Sequence, residues 1–341
     1  MVKFRIILAG CGSMSHAWVE NAISREDCEI VALVDLYEQT AQKLAEEFSL
    51  KCPVFKDISE AIAATDANLV FDVTIPESHV KIVVPALKAG LNVLGEKPMA
   101  STMEEALLMV ETAGKSAGTY AVMQNRRYLK NIRALKSIIS SGTIGQPGFL
   151  CADFFVGPHF GGFRDVMDSP LILDMAIHTF DQARFIVGGD PVSAYCQEFN
   201  PTGSWYKGDA SAVCIFEFSN GLIFCYRGSW ASEGFKTSWE AEWRVMGSKG
   251  TAIWDGANAP KFEVPEPSAE QPFMNEHQTV VVEADWGGRE SHLGGFDEMF
   301  SALLEGRDAE TDCKDNIMSM AMVFAAIESS KSGLKVTIPP L

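Results

Sequence analysis

Long apolar runs are missing from this sequence. No uninterrupted apolar stretch approaches the roughly 20 residues that span a bilayer, so no membrane role is expected. Positive charge is also scarce, with 28 Lys and Arg against 45 Asp and Glu, a net charge of −17. Such a surface repels phosphate backbones and anionic lipids, so no nucleic-acid partner is expected either. Closely paired cysteines are absent. The eight cysteines are scattered, none forms a C-x-x-C pair, and most sit in apolar runs. That usage predicts buried thiols in a reducing cytoplasm rather than disulfides or a zinc site. His16, His159, His277 and His292 share no ligand spacing, so no metal site is predicted. The first apolar run, Phe4–Ala9, contains Arg5 and ends at Gly10, which is too short for a secretory signal core. No internal repeat or low-complexity tract is present.

What is there is an ordinary globular mixture, 47% hydrophobic and 21% charged. At about 150 residues per domain, 341 residues predict two domains. The first third alternates short apolar runs with helical patterns. Strands are read at Phe4–Ala9, Glu29–Leu33, Leu69–Val73, Leu91–Leu94 and Tyr120–Met123, with helices between them. Strands apolar on both faces, separated by helices, imply a parallel sheet covered on both sides. Right-handed crossovers make that a doubly wound nucleotide-binding architecture.

The rhythm changes after about residue 125. A helix over Asn131–Ser140 is followed by strand patterns at Phe149–Val156, Val192–Phe199, Ala212–Phe218, Leu222–Gly228, Ala241–Met246 and Thr251–Trp254. One helix, Leu171–Val187, interrupts them behind Ser169-Pro170, which reads as a cap followed by proline at the first helical position. Ala259–Gln271 reads as a loop, and helices near Leu293–Glu305 and Asn316–Ser330 close the chain. The fold class is therefore α/β. An N-terminal Rossmann domain (1–125) is followed by a C-terminal α+β domain (126–341) with a large, mainly antiparallel open sheet.

Three segments carry candidate chemistry. Gly10, Gly12, Ser13 and Met14 form a turn directly between a strand and a helix. Such a turn lets a helix N-terminus face a pyrophosphate without an intervening side chain. Ser15 stands where Gly or Ala is usual but is still small. Asp35, twenty residues beyond Ser15, ends the next strand, where a carboxylate accepts hydrogen bonds from ribose hydroxyls and repels a 2′-phosphate. That predicts NAD rather than NADP. Glu96-Lys97-Pro98 follows the fourth strand, on the edge where ligands of doubly wound sheets bind. Asp174 and His178 share one helical face at i, i+4, with Asp181 next along it. The polar stripe lies among Leu173, Met175, Ile177 and Phe180, so it needs a partner or a cavity. A core histidine satisfied by the carboxylate one turn away and a catalytic pair are equally compatible with that pattern.

Taken together, these motifs resemble the glucose–fructose oxidoreductase / inositol dehydrogenase / MocA family of NAD(P)-dependent oxidoreductases. The motifs are G-C-G-S-M-S at 10–15, V-D-L at 34–36, T-I-P-E-S-H at 74–79, G-L-N-V-L-G-E-K-P-M-A at 90–100, N-R-R-Y at 125–128 and L-D-M-A-I-H-T-F-D at 173–181. The resemblance implies a cofactor cleft that includes Thr74, Pro76, His79, Glu96 and Lys97. It implies a catalytic group of Lys97, Asp174 and His178, with Asn125 and Arg126 near the substrate. Some positions depart from inositol dehydrogenases: Asp153-Phe154-Phe155, Ser169-Pro170-Leu171, and Trp239 where a Tyr contacts the polyol. They shift the expected substrate from inositol itself to a sugar or cyclic polyol in a more aromatic pocket. The activity implied is NAD-dependent oxidation of a secondary alcohol. Two other readings stay open: an NAD-using glycoside hydrolase of the same fold, and a non-catalytic nucleotide-binding sensor. The nearly continuous apolar strands Ala212–Phe218 and Leu222–Tyr226 predict a homodimer or homotetramer joined through the second sheet.

Overall fold

The computed structural model describes residues 3–268 and 272–341. In chain order the first elements are β1 (Phe4–Ala9), α1 (Ser15–Ile23), β2 (Cys28–Val34), α2 (Glu38–Glu47), β3 (Val54–Phe55) and α3 (Ile58–Ala64). Next come β4 (Leu69–Asp72), α4 (Pro76–Lys88), β5 (Asn92–Gly95), α5 (Met103–Gly114) and β6 (Tyr120–Val122). They are followed by α6 (Lys130–Ser140), β7 (Pro147–Phe155), α7 (Ile177–Val187), β8 (Pro191–Phe199), β9 (Ser211–Phe218) and β10 (Ile223–Ser229). The rest are β11 (Glu242–Gly247), β12 (Thr251–Trp254), β13 (Lys261–Pro265), β14 (His277–Val281), α8 (Ser291–Glu305), α9 (Cys313–Ser332) and β15 (Val336–Thr337).

The chain divides into two units, Met1–Gln124 with His292–Met320, and Asn125–Ser291 with Ala321–Leu341. The first holds a six-stranded parallel sheet in the order β3-β2-β1-β4-β5-β6. The order reverses between β1 and β4, which opens a crevice at their carboxyl ends. Ile6, Ile7, Leu8 and Ala9 are fully buried, as a strand covered on both faces requires. The short β3 and α3 fall in a stretch without a long apolar run and were not expected. A second unit running unbroken from 126 to 341 is corrected as well. Residues 292–320 fold with the first unit because Phe296, Met299 and Phe300 of α8 fill its core. Phe296 meets the Trp18 ring edge-on at 4.8 Å, and Phe300 meets Phe4 at 5.1 Å.

The second unit is built on a nine-stranded sheet, β14-β13-β12-β11-β7-β10-β9-β8-β15, antiparallel except between β7 and β10. Within the stretch expected to be a loop, residues 261–265 form β13, while residues 269–271 lie outside the described residues. Strands β9 and β10, read from sequence as apolar on both faces, alternate. Phe216, Phe218, Phe224 and Tyr226 are buried, whereas Val213 and Ile215 are 39% and 43% exposed. The inner face packs on α7, whose Phe180 contacts the Phe216 and Tyr226 rings at 4.8 and 5.3 Å. No helix among the described residues is long and apolar enough to cross a membrane.

The placement of α8 makes a quantitative prediction. Phe296→Ala opens a cavity beside Trp18 and should destabilise the first unit by about 3–5 kcal/mol, the usual scale for a buried Phe→Ala change. Urea unfolding followed by tryptophan fluorescence measures it. A change near zero would show that α8 contributes nothing to that core.

Candidate active site

In the first unit, the turn after β1 is shaped by a close approach of backbones. Gly10 has φ +86°, and a Cβ there would lie 2.5 Å from the Val73 carbonyl oxygen. Gly12 faces open space. No side chain caps α1, and no acidic residue sits in its first turn, so its N-terminal end is available to an anion. Ser15 is fully buried and its hydroxyl donates to the Gly12 carbonyl at 2.6 Å, which explains why a small residue stands there. The Asp35 carboxylate accepts from the Cys11 amide at 2.9 Å and the Tyr37 amide at 2.8 Å. Gly10, Gly12, Asp35 and Thr74 line one cavity of about 420 Å³. An open glycine turn, an uncapped helix and a carboxylate at the end of β2 fit the phosphate and ribose parts of a dinucleotide.

The other residues expected in the cleft are placed differently from one another. Ser13 and Met14 are exposed in the turn, and Pro76 is the first residue of α4. His79 does not line the cavity. It is fully buried, with Nδ1 2.8 Å from Asp72 Oδ2 and 3.2 Å from the Thr74 hydroxyl. Burial alone would lower the His79 pKa. Asp72 at contact distance, its hydrogen bond and the charge of Glu96 outweigh that and hold it above the ordinary histidine range. Glu96 is buried too. It accepts from the Trp18 indole N–H at 2.8 Å and from the Lys97 amide at 3.3 Å. These residues therefore support the floor of the crevice rather than its surface. Lys97 is half-buried, and its peptide bond to Pro98 is cis.

In the second unit, the helix carrying Asp174 and His178 does not begin as a regular α-helix. Residues 171–176 form a π-helical turn that runs into α7. The expected Ser169 cap is not made: the Ser169 hydroxyl donates to Glu198 Oε2 at 3.2 Å. Local widening of this kind often accompanies functional residues. Each carboxylate of the polar stripe has an arginine. Arg164 Nε donates to Asp174 Oδ2 at 2.6 Å. Arg127 makes a bidentate, buried pair with Asp181, both contacts at 2.7 Å. His178 is buried between them along the helix.

Arg126 is held by the Trp239 carbonyl and lies 3.5 Å from Glu240, with Met175 Sδ at 3.8 Å. Trp239 is thereby fixed near the helix that bears Asp174. Burial pushes the Arg126 pKa down and the Glu240 pKa up, each partly offset by the other. Asn125 donates to the Ser291 hydroxyl at 3.1 Å. Phe160 packs on Trp230 and Trp239 at 5.4 and 6.2 Å. Arg164 and Glu240 were missed by sequence reasoning. Their partners are ten and fifty-eight residues away, at Asp174 and Gln182. Among the described residues, no group of three or more His, Cys, Asp or Glu side chains could hold a metal ion.

Comparison with known proteins places these features in context. A family model described as "Oxidoreductase family, NAD-binding Rossmann fold" matches residues 4–124. The GFO/IDH/MocA C-terminal domain matches residues 132–253. An inositol 2-dehydrogenase of Burkholderia lata is 25% identical over 97% of this chain and 95% of its own length. A D-apiose dehydrogenase of Rhizobium rhizogenes is 25% identical over 99% and 98%. An oxidoreductase from Agrobacterium radiobacter, solved with NAD+, L-tartaric acid and magnesium, matches with a TM-score of 0.84 at 23% identity, covering 99% of both chains. A levoglucosan dehydrogenase solved with NADH and levoglucosan matches at 0.80 and 18% identity, covering 98% of this chain and 99% of its own.

The hydrogen bond from Ser169 to Glu198 yields a pH prediction. Burial, reinforced by Asp209 and only partly offset by Ser169 and Lys331, pushes the Glu198 carboxyl up to about 7. The folded chain therefore binds this proton more tightly than the unfolded chain, where a glutamate titrates at about 4.3. The contribution is fully present at low pH, declines as pH rises from there to about 7, and is flat above. Its size is on the order of 3 kcal/mol. Glu198→Gln cannot titrate, so the variant should gain stability relative to wild type between pH 5 and pH 8. Thermal melts at both pH values measure this, and parallel shifts in the two proteins would refute it.

Proposed function

The chain belongs to the Gfo/Idh/MocA family of NAD-binding oxidoreductases, and from that premise we propose that it oxidises a secondary alcohol of a sugar or cyclic polyol. The observation that carries this reading is one helical segment that bears both Asp174, held by Arg164, and a buried His178. Relatives named inositol 2-dehydrogenase and D-apiose dehydrogenase, and a structural neighbour holding levoglucosan, support the substrate class. The exposed rings of Phe160 and Trp239, with buried Trp230 packed behind Phe160, suit the apolar face of a sugar ring.

Gly10, Gly12, Ser13, Met14, Asp35 and Thr74 would hold the dinucleotide, and Asp35 favours NAD by its charge. When bound, NAD supplies the acceptor for the hydrogen on the carbinol carbon. The protein must then manage the hydroxyl proton and the charge left on oxygen. His178 is assigned as the general base, since histidine is the side chain suited to accept a proton near neutrality. Lys97 is assigned to donate to the carbinol oxygen and stabilise its developing negative charge. Asp174 orients the imidazole or a substrate hydroxyl, and Asn125 and Trp239 contact the substrate.

A homodimer or homotetramer through the second sheet forms part of this proposal. Tyr195, Ile215, Cys225 and Cys151 are register neighbours across four strands, on the face that α7 does not cover. Tyr195 and Ile215 are 45% and 43% exposed there, with Phe149, Val213 and Met246 exposed on the same side. A second copy is the economical cover for a patch that size. Light scattering at micromolar concentration should give a multiple of the chain mass. A monomer mass, or an unchanged multimer after Ile215→Lys, would overturn it.

The chemical assignment makes a separate prediction. Lys97→Met should leave NAD affinity within a few-fold and cut kcat by about 10²-fold or more, the scale of a lost acid–base or charge-stabilising group. His178→Asn should act similarly. It should also abolish the acid-side fall in the oxidation rate, because a protonated His178 cannot take the alcohol proton. The checks are steady-state kinetics across pH with thermal melts alongside. If His178→Asn lowers Tm but keeps its turnover and pH profile, His178 is a satisfied core residue and the mechanism is wrong.

A further inference from the structure

We infer that the substrate carries a carboxylate, and that Arg164 is the residue that recognises it. This inference rests on the dehydrogenase reading above and specifies the substrate of that site as a polyhydroxy acid.

The argument begins with the donors of one side chain. A guanidinium carries five N–H groups in a planar fork and accepts nothing. Arg164 spends Nε on Asp174 at 2.6 Å. Its two η nitrogens hydrogen-bond to no described residue. The side chain is 31% exposed, so it is reachable, while its partner Asp174 is only 14% exposed. One edge of the group is thus anchored to the helix that bears His178, and the remaining donors are still to be used.

The fork is also held in place. The guanidinium carbon lies 5.0 Å from the centre of the Phe160 ring and 4.6 Å from that of Phe163. Phe160 in turn packs on Trp230 and Trp239. Gly161 and Gly162, both at positive φ (+69° and +71°), turn the backbone between Phe160 and Phe163, so that both of these preceding rings reach the Arg164 guanidinium. A ligand on the exposed rings would therefore meet a planar cation beside it, with little ordering left to be done on binding.

The unused donors select the ligand. Asp174 already offsets one side of Arg164, so a neutral polyol would leave the η edge without a strong acceptor. A carboxylate matches that edge in shape, since its two oxygens can accept parallel N–H bonds from a planar fork. A phosphate dianion would call for more donors. The neighbouring cation, Arg126, is already taken up by the Trp239 carbonyl and Glu240. In a chain of net charge −17, no general positive field would draw an anion here. Selection falls to this single fork.

The test uses the intact enzyme with NAD and matched substrate pairs: D-glucuronate against D-glucose, and D-gluconate against D-glucitol, with glucose 6-phosphate as a third arm. NADH formation gives kcat/KM for each. In wild type, the acid of at least one pair should exceed its neutral partner by about tenfold or more, the scale of a charge-assisted pair. In Arg164→Met that ratio should fall to near one, and in Arg164→Lys, which keeps charge but loses the fork, to an intermediate value. The ratio is the readout, because losing the contact to Asp174 slows both members of a pair alike. Neutral members matching or beating the acids in wild type would overturn the inference and leave the alcohol-oxidation reading standing. An unmoved ratio in Arg164→Met would do the same, as would glucose 6-phosphate outperforming both acids. If no alcohol of any kind is oxidised, the functional reading fails. Calorimetric titration of D-glucuronate into the NAD-loaded protein then decides: binding lost in Arg164→Met supports the carboxylate fork, and no binding in wild type refutes it. Should the Met variant not fold, the Lys variant carries the same comparison.

Discussion

The close passage of Gly10 against the end of β4 is the constraint on which the nucleotide crevice depends. A side chain at position 10 would collide with the Val73 carbonyl at 2.5 Å, so the chain can turn there only as glycine. That turn aims α1 at open space and brings the Cys11 amide onto Asp35. Behind it, Asp72 holds Thr74 and His79, and Trp18 holds Glu96. The second layer is polar, buried and largely satisfied, which is the condition under which a buried network rigidifies a site instead of weakening it. Lys97 follows directly from that layer, with its amide on Glu96.

The second unit solves a related problem differently. A helix bearing Asp174, His178 and Asp181 cannot bury two carboxylates without partners, because stripping water from an unpaired charge is far too costly. Two arginines answer the two aspartates, but the pairs are not equivalent. Arg127–Asp181 is bidentate and almost wholly buried, so its donors toward the carboxylate are spent and it anchors the helix. Arg164–Asp174 is made through Nε and is partly exposed. One pair is structural by geometry, while the other keeps capacity for a further ligand.

Much of this was legible in the sequence because it is local. Alternation of apolar runs with helices gave the parallel sheet, and the glycine turn with Asp35 gave the nucleotide end of it. Asp174 and His178 fall, as expected, on one continuous helical segment, although its first turn is π rather than α. What stayed hidden was non-local or too short. Strand β3 has two residues and no periodicity to detect. Phe296 looks like any apolar helix position until its contact with Trp18 is seen. Ser169-Pro170 has the right residues for a cap, yet Glu198, distant in sequence, takes the serine hydroxyl. His79 was placed on the cleft surface by motif alone. A histidine beside an aspartate that ends a buried strand is drawn inward by that charge.

The same distinction governs the second sheet. Apolar composition in β9 and β10 was read as two faces needing cover, but composition does not say which residues point where. The register does: Phe216 and Phe224 face α7, whereas Ile215 and Cys225 face the opposite side. The inner face is therefore closed by this chain's own helix, and the outer face is a mixed surface. Arg227 and Asp153 pair across two strands on it, and Tyr195, Ile215 and Phe149 lie exposed among them. Polar pairs set among apolar side chains specify how a surface is oriented against another, while the apolar area supplies the drive. A sheet that was only apolar would associate in any register. In the proposed assembly, those pairs would fix the register.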